Sequence, residues 1–329
     1  MPQSFRKRIS FLLKLLVSGG FVAWVVFEVN WLEVMGRIAA INIPALLVYL
    51  SLLVAGMAIS ARKWQRIFLF KGFVRPFKDA FLAYLTGTLI NNFLPSFIGG
   101  DTYRGLWLGK KDGRFSPAIS TLLFDRFTGL WAAMVFTLLF SLFHIETVLA
   151  HPIWILLDIG IMCSLSIDFL FPYFEKFSIL RFLASKLPER IQYLFQELGG
   201  FAHRDILIPS LKLSLLFNAI GVGAANIVLF HALGGDVRIL DYLGVIFLVS
   251  IVSSFPISVN NIGLKEWAYI TFFGYLGVEA ETAIAVAITS RFLQMLVSFF
   301  AIPFYFRSRD MIESWKQKEL GMQNQENKE

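Results

Sequence analysis

The chain has 329 residues, of which 57% are hydrophobic and 16% charged, and a mean hydropathy of +0.66, which excludes an ordinary water-soluble domain and indicates an all-α polytopic membrane protein. A single cysteine, Cys163, excludes a disulfide framework and a thiolate metal site. The net charge of +7 reads as the basic excess of cytoplasmic loops facing anionic lipid, not as a nucleic-acid surface.

Apolar spans of roughly 20 residues, the length that crosses about 30 Å of hydrocarbon, are expected at Ile9 to Val29, Ile43 to Ala61, Ser116 to Phe143, Ile153 to Tyr173, Ile206 to Leu233 and Ala280 to Phe306. The first follows Arg6, Lys7 and Arg8 but lacks a small-residue cleavage site, so it reads as a retained helix. Two further regions, Ala80 to Leu108 and Leu240 to Gly277, are apolar but interrupted. From Lys176 to Arg204 the pattern is mixed and amphipathic and predicts a surface helix pair, and residues 307–329 form a polar tail after a membrane domain of residues 1–306.

Basic residues orient these spans. Arg6, Lys7, Arg8 and Lys14 put the N-terminus inside, Arg37 marks an outside loop, and Arg62, Lys63, Arg66, Lys71, Arg75 and Lys78 an inside one. Lys110, Lys111 and Arg114 again mark the inside, so the first interrupted region enters from the cytoplasm and returns. Arg307, Arg309, Lys316 and Lys318 place the tail inside, so the second enters and leaves from the outside. About six full crossings plus two re-entrant helical hairpins follow, each half being helix, helix, hairpin, helix in opposite orientation. This is an inverted repeat in the cytoplasmic (inner) membrane, with both termini cytoplasmic. Pro95 followed by Asp125-Arg126-Phe127 echoes Pro256 followed by Ser290-Arg291-Phe292.

The hairpins carry the polar chemistry. The first reads NNFLPSFIGGDTYR from Asn91 to Arg104, and the second FPISVNNIGLKE from Phe255 to Glu266. Pro95, Gly99, Gly100, Pro256 and Gly263 are expected to break helices and free backbone groups, a state tolerated only against protein or a wet cavity. Freed N–H groups at a half-helix start suit phosphate or carboxylate. Asn91, Asn92, Ser96, Ser258, Asn260 and Asn261 have two readings, contact with head-group hydroxyls or satisfaction of the broken backbone. Arg126, Lys265 and Arg291 fall within membrane depth and Arg104 at a hairpin mouth, where a base costs roughly 2.5–3.5 kcal/mol without a partner. Asp101 lies three residues before Arg104 and can pair with it on one helix face, whereas adjacent Asp125-Arg126 and Lys265-Glu266 must reach different partners. These charges are either salt bridges pinning hairpins to helices or contacts to an anionic substrate; both readings stand. His144, His151, His203 and His231 have no metal-ligand spacing, and no nucleophile elbow or nucleotide loop occurs. No catalytic residue, metal or cofactor is assigned.

The pattern N-x-x-L-P-x-x-x-G-G-D-x-x-R from Asn91 to Arg104, the Asp125-Arg126 pair, and P-x-S-x-N-x-x-G-x-K-E from Pro256 to Glu266 resemble the lysylphosphatidylglycerol synthase transmembrane-region family, also described as flippase-like, over roughly residues 9 to 306. Asn261 stands where members of that family commonly have glycine. The resemblance implies a lipid flippase-like membrane region. Only a short polar tail follows Phe306, so the separate synthase domain of bifunctional members is not expected. The expected function is movement of an anionic or polyisoprenoid-linked lipid between leaflets, passively or driven by an ion gradient with Asp125 or Glu266 as proton carrier. The alternatives are a membrane-embedded lipid- or glycan-transfer enzyme or its accessory subunit, and a small-anion transporter. The expected partners are membrane lipids with an anionic head group, a second copy of the chain, or a lipid-biosynthesis enzyme.

Overall fold

The computed structural model describes residues 3–93, 98–110, 112–170, 193, 196–255 and 257–308, with side chains from residue 15 onward except at 98, 166–170 and 202. Pro95, Ser96 and Pro256 lie outside the described residues, as do most of the expected surface helix pair and the polar tail. The described chain is helical, with no strand: α1 (Gln3–Glu28), α2 (Trp31–Ala39), α3 (Ile43–Phe70), α4 (Phe77–Phe93), α5 (Ile98–Gly109), α6 (Phe115–Ser141), α7 (Ile145–Ala150), α8 (Pro152–Leu170), α9 (Arg204–Phe217), α10 (Ala225–Ala232), α11 (Ile239–Val252), α12 (Leu264–Gly274) and α13 (Ala280–Ser298). A π-helical stretch, Asn218–Ala224, joins α9 to α10.

Among the described residues four stretches are long and apolar enough to cross a membrane: Ile43–Phe70, Phe115–Ala150, Arg204–Ala232 and Ala280–Ser308. The chain is thus an all-α polytopic membrane protein. Of the six crossings expected, these four are met outright. The helix α1 itself runs 26 residues, Gln3–Glu28, over the first expected crossing, and α2 leaves it at a bend of 83°. The helix α8 runs 19 residues, Pro152–Leu170, where the crossing Ile153 to Tyr173 is expected. The stretch expected as a loop around Arg37 is instead the helix α2. Arg37 bonds Glu33 one turn earlier at 2.6 Å and Glu279 at 2.5 Å. Leu32 and Met35 are exposed while Val34 is buried, the pattern of a helix lying along an interface. The expected outside loop from His144 to Pro152 likewise holds the short helix α7.

Both interrupted regions fold as pairs of short helices packed on one another, α4 on α5 and α11 on α12. None exceeds 17 residues, about 26 Å at 1.5 Å per residue, so none crosses the hydrocarbon alone. In chain order a hairpin follows α3 and precedes α6, and a second follows α10 and precedes α13.

Two compact units divide the chain. The first comprises Met1–Gly56, Gly129–Phe171 and Ser214–Gln294, the second Met57–Thr128, Pro172–Leu213 and Met295–Glu329. The first buries Phe230, Tyr242 and Phe273 against each other, with centroids 4.8 Å and 5.1 Å from the Tyr242 ring. Its helices approach closely at Gly56, where a Cβ would lie 2.6 Å from the Gly221 Cα. The second unit packs Trp64 between Phe68 and Trp107, and stacks Phe124 on Phe201 at 4.4 Å. Beyond Lys14 the first unit holds only Arg37, Arg238, Lys265 and Arg291 as Lys or Arg, whereas the second carries the base-rich segments around Arg62–Lys78 and Lys110–Arg114.

Candidate functional site

The polar residues singled out from the sequence form two clusters, one in each unit. In the second unit α5 lies so close to α4 that a Cβ on Gly100 would stand 2.1 Å from the Gly87 carbonyl oxygen. Gly99 and Gly100 therefore do not break the chain as expected. They lie in the first turn of α5, and Gly100 serves backbone contact. Its N–H donates to Asn91 Oδ1 at 2.7 Å, which satisfies one of the donors a helix start leaves open, and Asn92 Nδ2 donates to Ser298 Oγ at 2.9 Å. Asn91 thus satisfies a backbone donor, and Asn92 bonds a side-chain hydroxyl of the chain itself.

Asp125 on α6 is the centre of this cluster. Arg104 from α5 reaches its Oδ2 at 3.1 Å, and Lys63 from α3 reaches its Oδ1 at 3.1 Å. Lys63 Nζ also donates to the Asp125 carbonyl at 2.7 Å and to Thr128 Oγ1 at 3.3 Å. The Arg104 guanidinium sits over the rings of Trp64 and Tyr84, at 4.2 Å and 4.8 Å. Asp101 pairs with Arg104 at 3.4 Å on its own helix and with Arg126 across to α6. The adjacent residues Asp125 and Arg126 do reach different partners. Lys63, Arg104 and Asp125 expose 2%, 7% and 7% of their side chains, whereas Arg126 exposes 50%. Burial of the first three matches pinning of hairpin to helices, and only Arg126 is presented outward.

Lys63 is a correction. The sequence placed it in a cytoplasmic loop beginning after Ala61, but α3 runs on to Phe70 and turns this lysine into the unit's interior. No breaker stands between Ala61 and Gly72, and that absence was the available signal. Asp158 was passed over as part of an apolar span, yet its Oδ1 is buried without a hydrogen-bond partner. A carboxylate within the apolar run Ile153 to Tyr173, which holds one other, Asp168, was the signal there.

In the first unit, the turn between α11 and α12 is built on left-handed backbone. Asn260, Asn261 and Gly263 have φ of 50°, 54° and 81°. Asparagine is among the few side-chain-bearing residues that adopt this region readily, so Asn261 accommodates a glycine-like conformation. At Gly263 a Cβ would also stand 2.4 Å from Phe21 Cβ of α1. Glu266 turns back to accept the Gly263 N–H at 2.8 Å, closing the start of α12.

Arg291 on α13 ties the turn down. It bonds Glu266 Oε1 at 2.9 Å and donates to the carbonyls of Asn260 at 3.1 Å and Asn261 at 3.2 Å. Lys265, the other way round α12, donates to Ser290 Oγ at 3.1 Å, so this adjacent couple diverges as well. Arg291 repeats the role of Arg126, a base on the helix after the hairpin that bonds back to an acid of the hairpin. Asn261 Nδ2 donates to the Ser253 carbonyl, and the Val259 N–H donates to Ser18 Oγ of α1 at 2.7 Å. Four buried polar atoms around the turn have no hydrogen-bond partner: Ser253 Oγ, Ser258 Oγ, Asn261 Oδ1 and Arg291 Nε.

Each cluster has a formal surplus of one positive charge, three bases against two acids in the second unit and two against one in the first. The expected proton carriers Asp125 and Glu266 are both held by bases. No group of three or more His, Cys, Asp or Glu side chains placed to hold a metal ion occurs among the described residues.

Comparison with the curated proteins finds no match. The family model for the lysylphosphatidylglycerol synthase TM region matches residues 11–301, a stretch that holds both hairpins and both clusters. The chain belongs to the lysylphosphatidylglycerol synthase transmembrane-region family.

Proposed function

We propose that this protein is an integral membrane lipid transporter that moves an anionic or polyisoprenoid-linked lipid between leaflets. The observation that carries the reading is the pair of outward-presented arginines, Arg126 with 50% and Arg291 with 31% of the side chain exposed, each on a cluster with a positive surplus within a membrane domain. A phosphate leaving water needs charge-assisted donors, and guanidinium supplies them in a planar fork. Lys63, Arg104, Asp101, Asp125 and Glu266 are the frame, holding each arginine on a short broken helix pair. Under this reading the base-rich segments of the second unit face the cytoplasm and the protein resides in the inner membrane, following the positive-inside rule.

The test is leaflet exchange of labelled lipids in vesicles reconstituted with the purified protein, with Arg126→Ala and Arg291→Ala alongside and head-group chemistry assayed on the same samples. Exchange that depends on the arginines, with the lipid chemically unchanged, is the expected result. Head-group turnover without exchange would sink the transporter reading in favour of a lipid- or glycan-transfer enzyme.

A further inference from the structure

Neither cluster uses Asp158, a carboxyl group of the first unit that lies almost two turns into α8, about 9 Å from its start at 1.5 Å per residue. It is half-buried, at the rim of a face that carries exposed Leu156, Ile159 and Met162. We propose that Asp158 is a proton-binding site that holds its proton at neutral pH and exchanges it as the coupling ion of transport. Proton binding stands on the surroundings of the group; what the proton drives rests on the reading of the chain as a transporter.

Those surroundings suit a neutral carboxyl group. Its hydrogen-bond donor is the Ser141 hydroxyl of α6. Trp154, one turn earlier on α8, donates its Nε1–H to the oxygen of that same hydroxyl at 3.3 Å, which leaves the hydroxyl hydrogen for Asp158. Trp154 is itself fully buried and meets Phe272 of α12 edge-on at 6.3 Å, so the donor arrangement is fixed by packing. Asp158 Oδ1 is sealed and has no hydrogen-bond partner. No charged side chain among the described residues acts on the group. The titratable groups on the neighbouring elements are engaged elsewhere or exposed: His144, one turn beyond Ser141, faces Asp241 at 3.3 Å, Arg238 bonds Asp241 at 2.9 Å, His151 stacks on Tyr275 at 3.8 Å, and Glu146 of α7 is exposed. A carboxylate with a single hydroxyl donor and one oxygen cut off from water is far costlier than the neutral acid, and a group so placed takes up a proton.

The same seal selects the ligand. Oδ1 has no room beside it for a water molecule or a metal ion, whereas a proton needs none. Binding forms one O–H bond at the carboxyl group and release breaks it. Asp125 and Glu266 are placed differently, because Lys63 and Arg104 on the first and Arg291 on the second already occupy the oxygens a proton would take.

The test uses dicyclohexylcarbodiimide, which partitions into the bilayer and condenses with a carboxyl group in its protonated form. The full chain in phosphatidylcholine vesicles is treated across about pH 5 to 9 and mapped by peptide, a readout on the parent protein that needs no variant to fold. Asp158 is expected to be modified at neutral pH, about tenfold above Asp125 and Glu266, and its modification to fall about tenfold for each pH unit once the group ionises. Modification confined to the ordinary carboxylate range, near about pH 4, overturns the proposal, as does equal modification of Asp125 or Glu266. Leaflet exchange is then measured with and without a pH gradient across the vesicle membrane. The parent is expected to exchange faster with the gradient, and Asp158→Asn, which keeps the side-chain shape, to exchange at a rate the gradient does not change. A parent that ignores the gradient, or a response kept in Asp158→Asn, overturns the coupling. Modification at neutral pH in protein that exchanges no lipid would sink the transporter reading alone, and exchange without that modification would sink the proton site alone.

Discussion

Replacing Asp125 by asparagine separates frame from contact in the second unit. The substitution keeps the shape of the side chain and removes the carboxylate bonded to Lys63 and one of those bonded to Arg104. Both bases are nearly sealed, at 2% and 7% exposure, so neither recovers its hydration. Breaking a buried ion pair from one side costs about 3–5 kcal/mol, which lowers the melting temperature on the order of 10 °C. Arg126→Ala removes a half-exposed partner of Asp101, a loss of about 0–1 kcal/mol, because Asp101 retains Arg104. Thermal melting in detergent, read on the same preparations as leaflet exchange, is expected to show Asp125→Asn melting low, and Arg126→Ala melting near the parent while losing exchange. If Arg126→Ala melts as low as Asp125→Asn, the division of roles is wrong and both arginine and aspartate are structural. If Asp125→Asn melts with the parent, the cluster is not the pin that its burial indicates.

Three further outcomes follow from particular contacts. Gly100→Ala forces the α4–α5 pair apart and costs about 1–3 kcal/mol by overpacking; a parent-like melting temperature would show that the close approach at Gly87 is not present in solution. Arg291→Lys cannot reach Glu266 and two carbonyls from one ammonium in the same planar geometry, so proteolysis within the turn from Ser253 to Gly263 should accelerate, and unchanged cleavage would contradict the tie. Glu197, beyond the membrane spans, is raised most by burial, but the hydrogen bonds from Lys71 Nζ, at 2.6 Å, and from Tyr193, together with the positive charges of Lys71 and Arg114, outweigh this and leave it below the usual glutamate value on balance. A carboxylate lowered on folding stabilises above its unfolded value and loses that contribution as pH falls through its folded value. Glu197→Gln should therefore destabilise by about 1 kcal/mol near neutral pH and match the parent in strong acid, as judged by melting against pH.

The hairpins were legible because breakers and polar residues inside apolar sequence are costly in a bilayer unless the chain turns back there, and the divergence of adjacent charges follows from helix geometry alone. Lys63 was not legible in the same way. Basic residues at the end of a span usually mark its exit, and only a tertiary partner on α6 makes a continued helix with a buried lysine worth its desolvation. Gly100 was misread for a related reason, since a glycine needed for contact with another helix looks the same in sequence as one needed for a turn. The 83° corner after α1 was missed because a short amphipathic helix and a loop share composition, and the distinction rests on the bonds from Arg37 and Glu281.

That corner has a mechanical consequence. The Asn30 N–H donates to Glu281 Oε1 at 3.1 Å and Arg37 bonds Glu279, so the end of α1, the whole of α2 and the start of α13 are strapped together. A lone span meets a bilayer that is too thin by tilting. Here tilt of α1 carries α2, with its exposed Leu32 and Met35, and the start of α13 along with it, so the corner moves as one piece with no hinge of its own at Asn30.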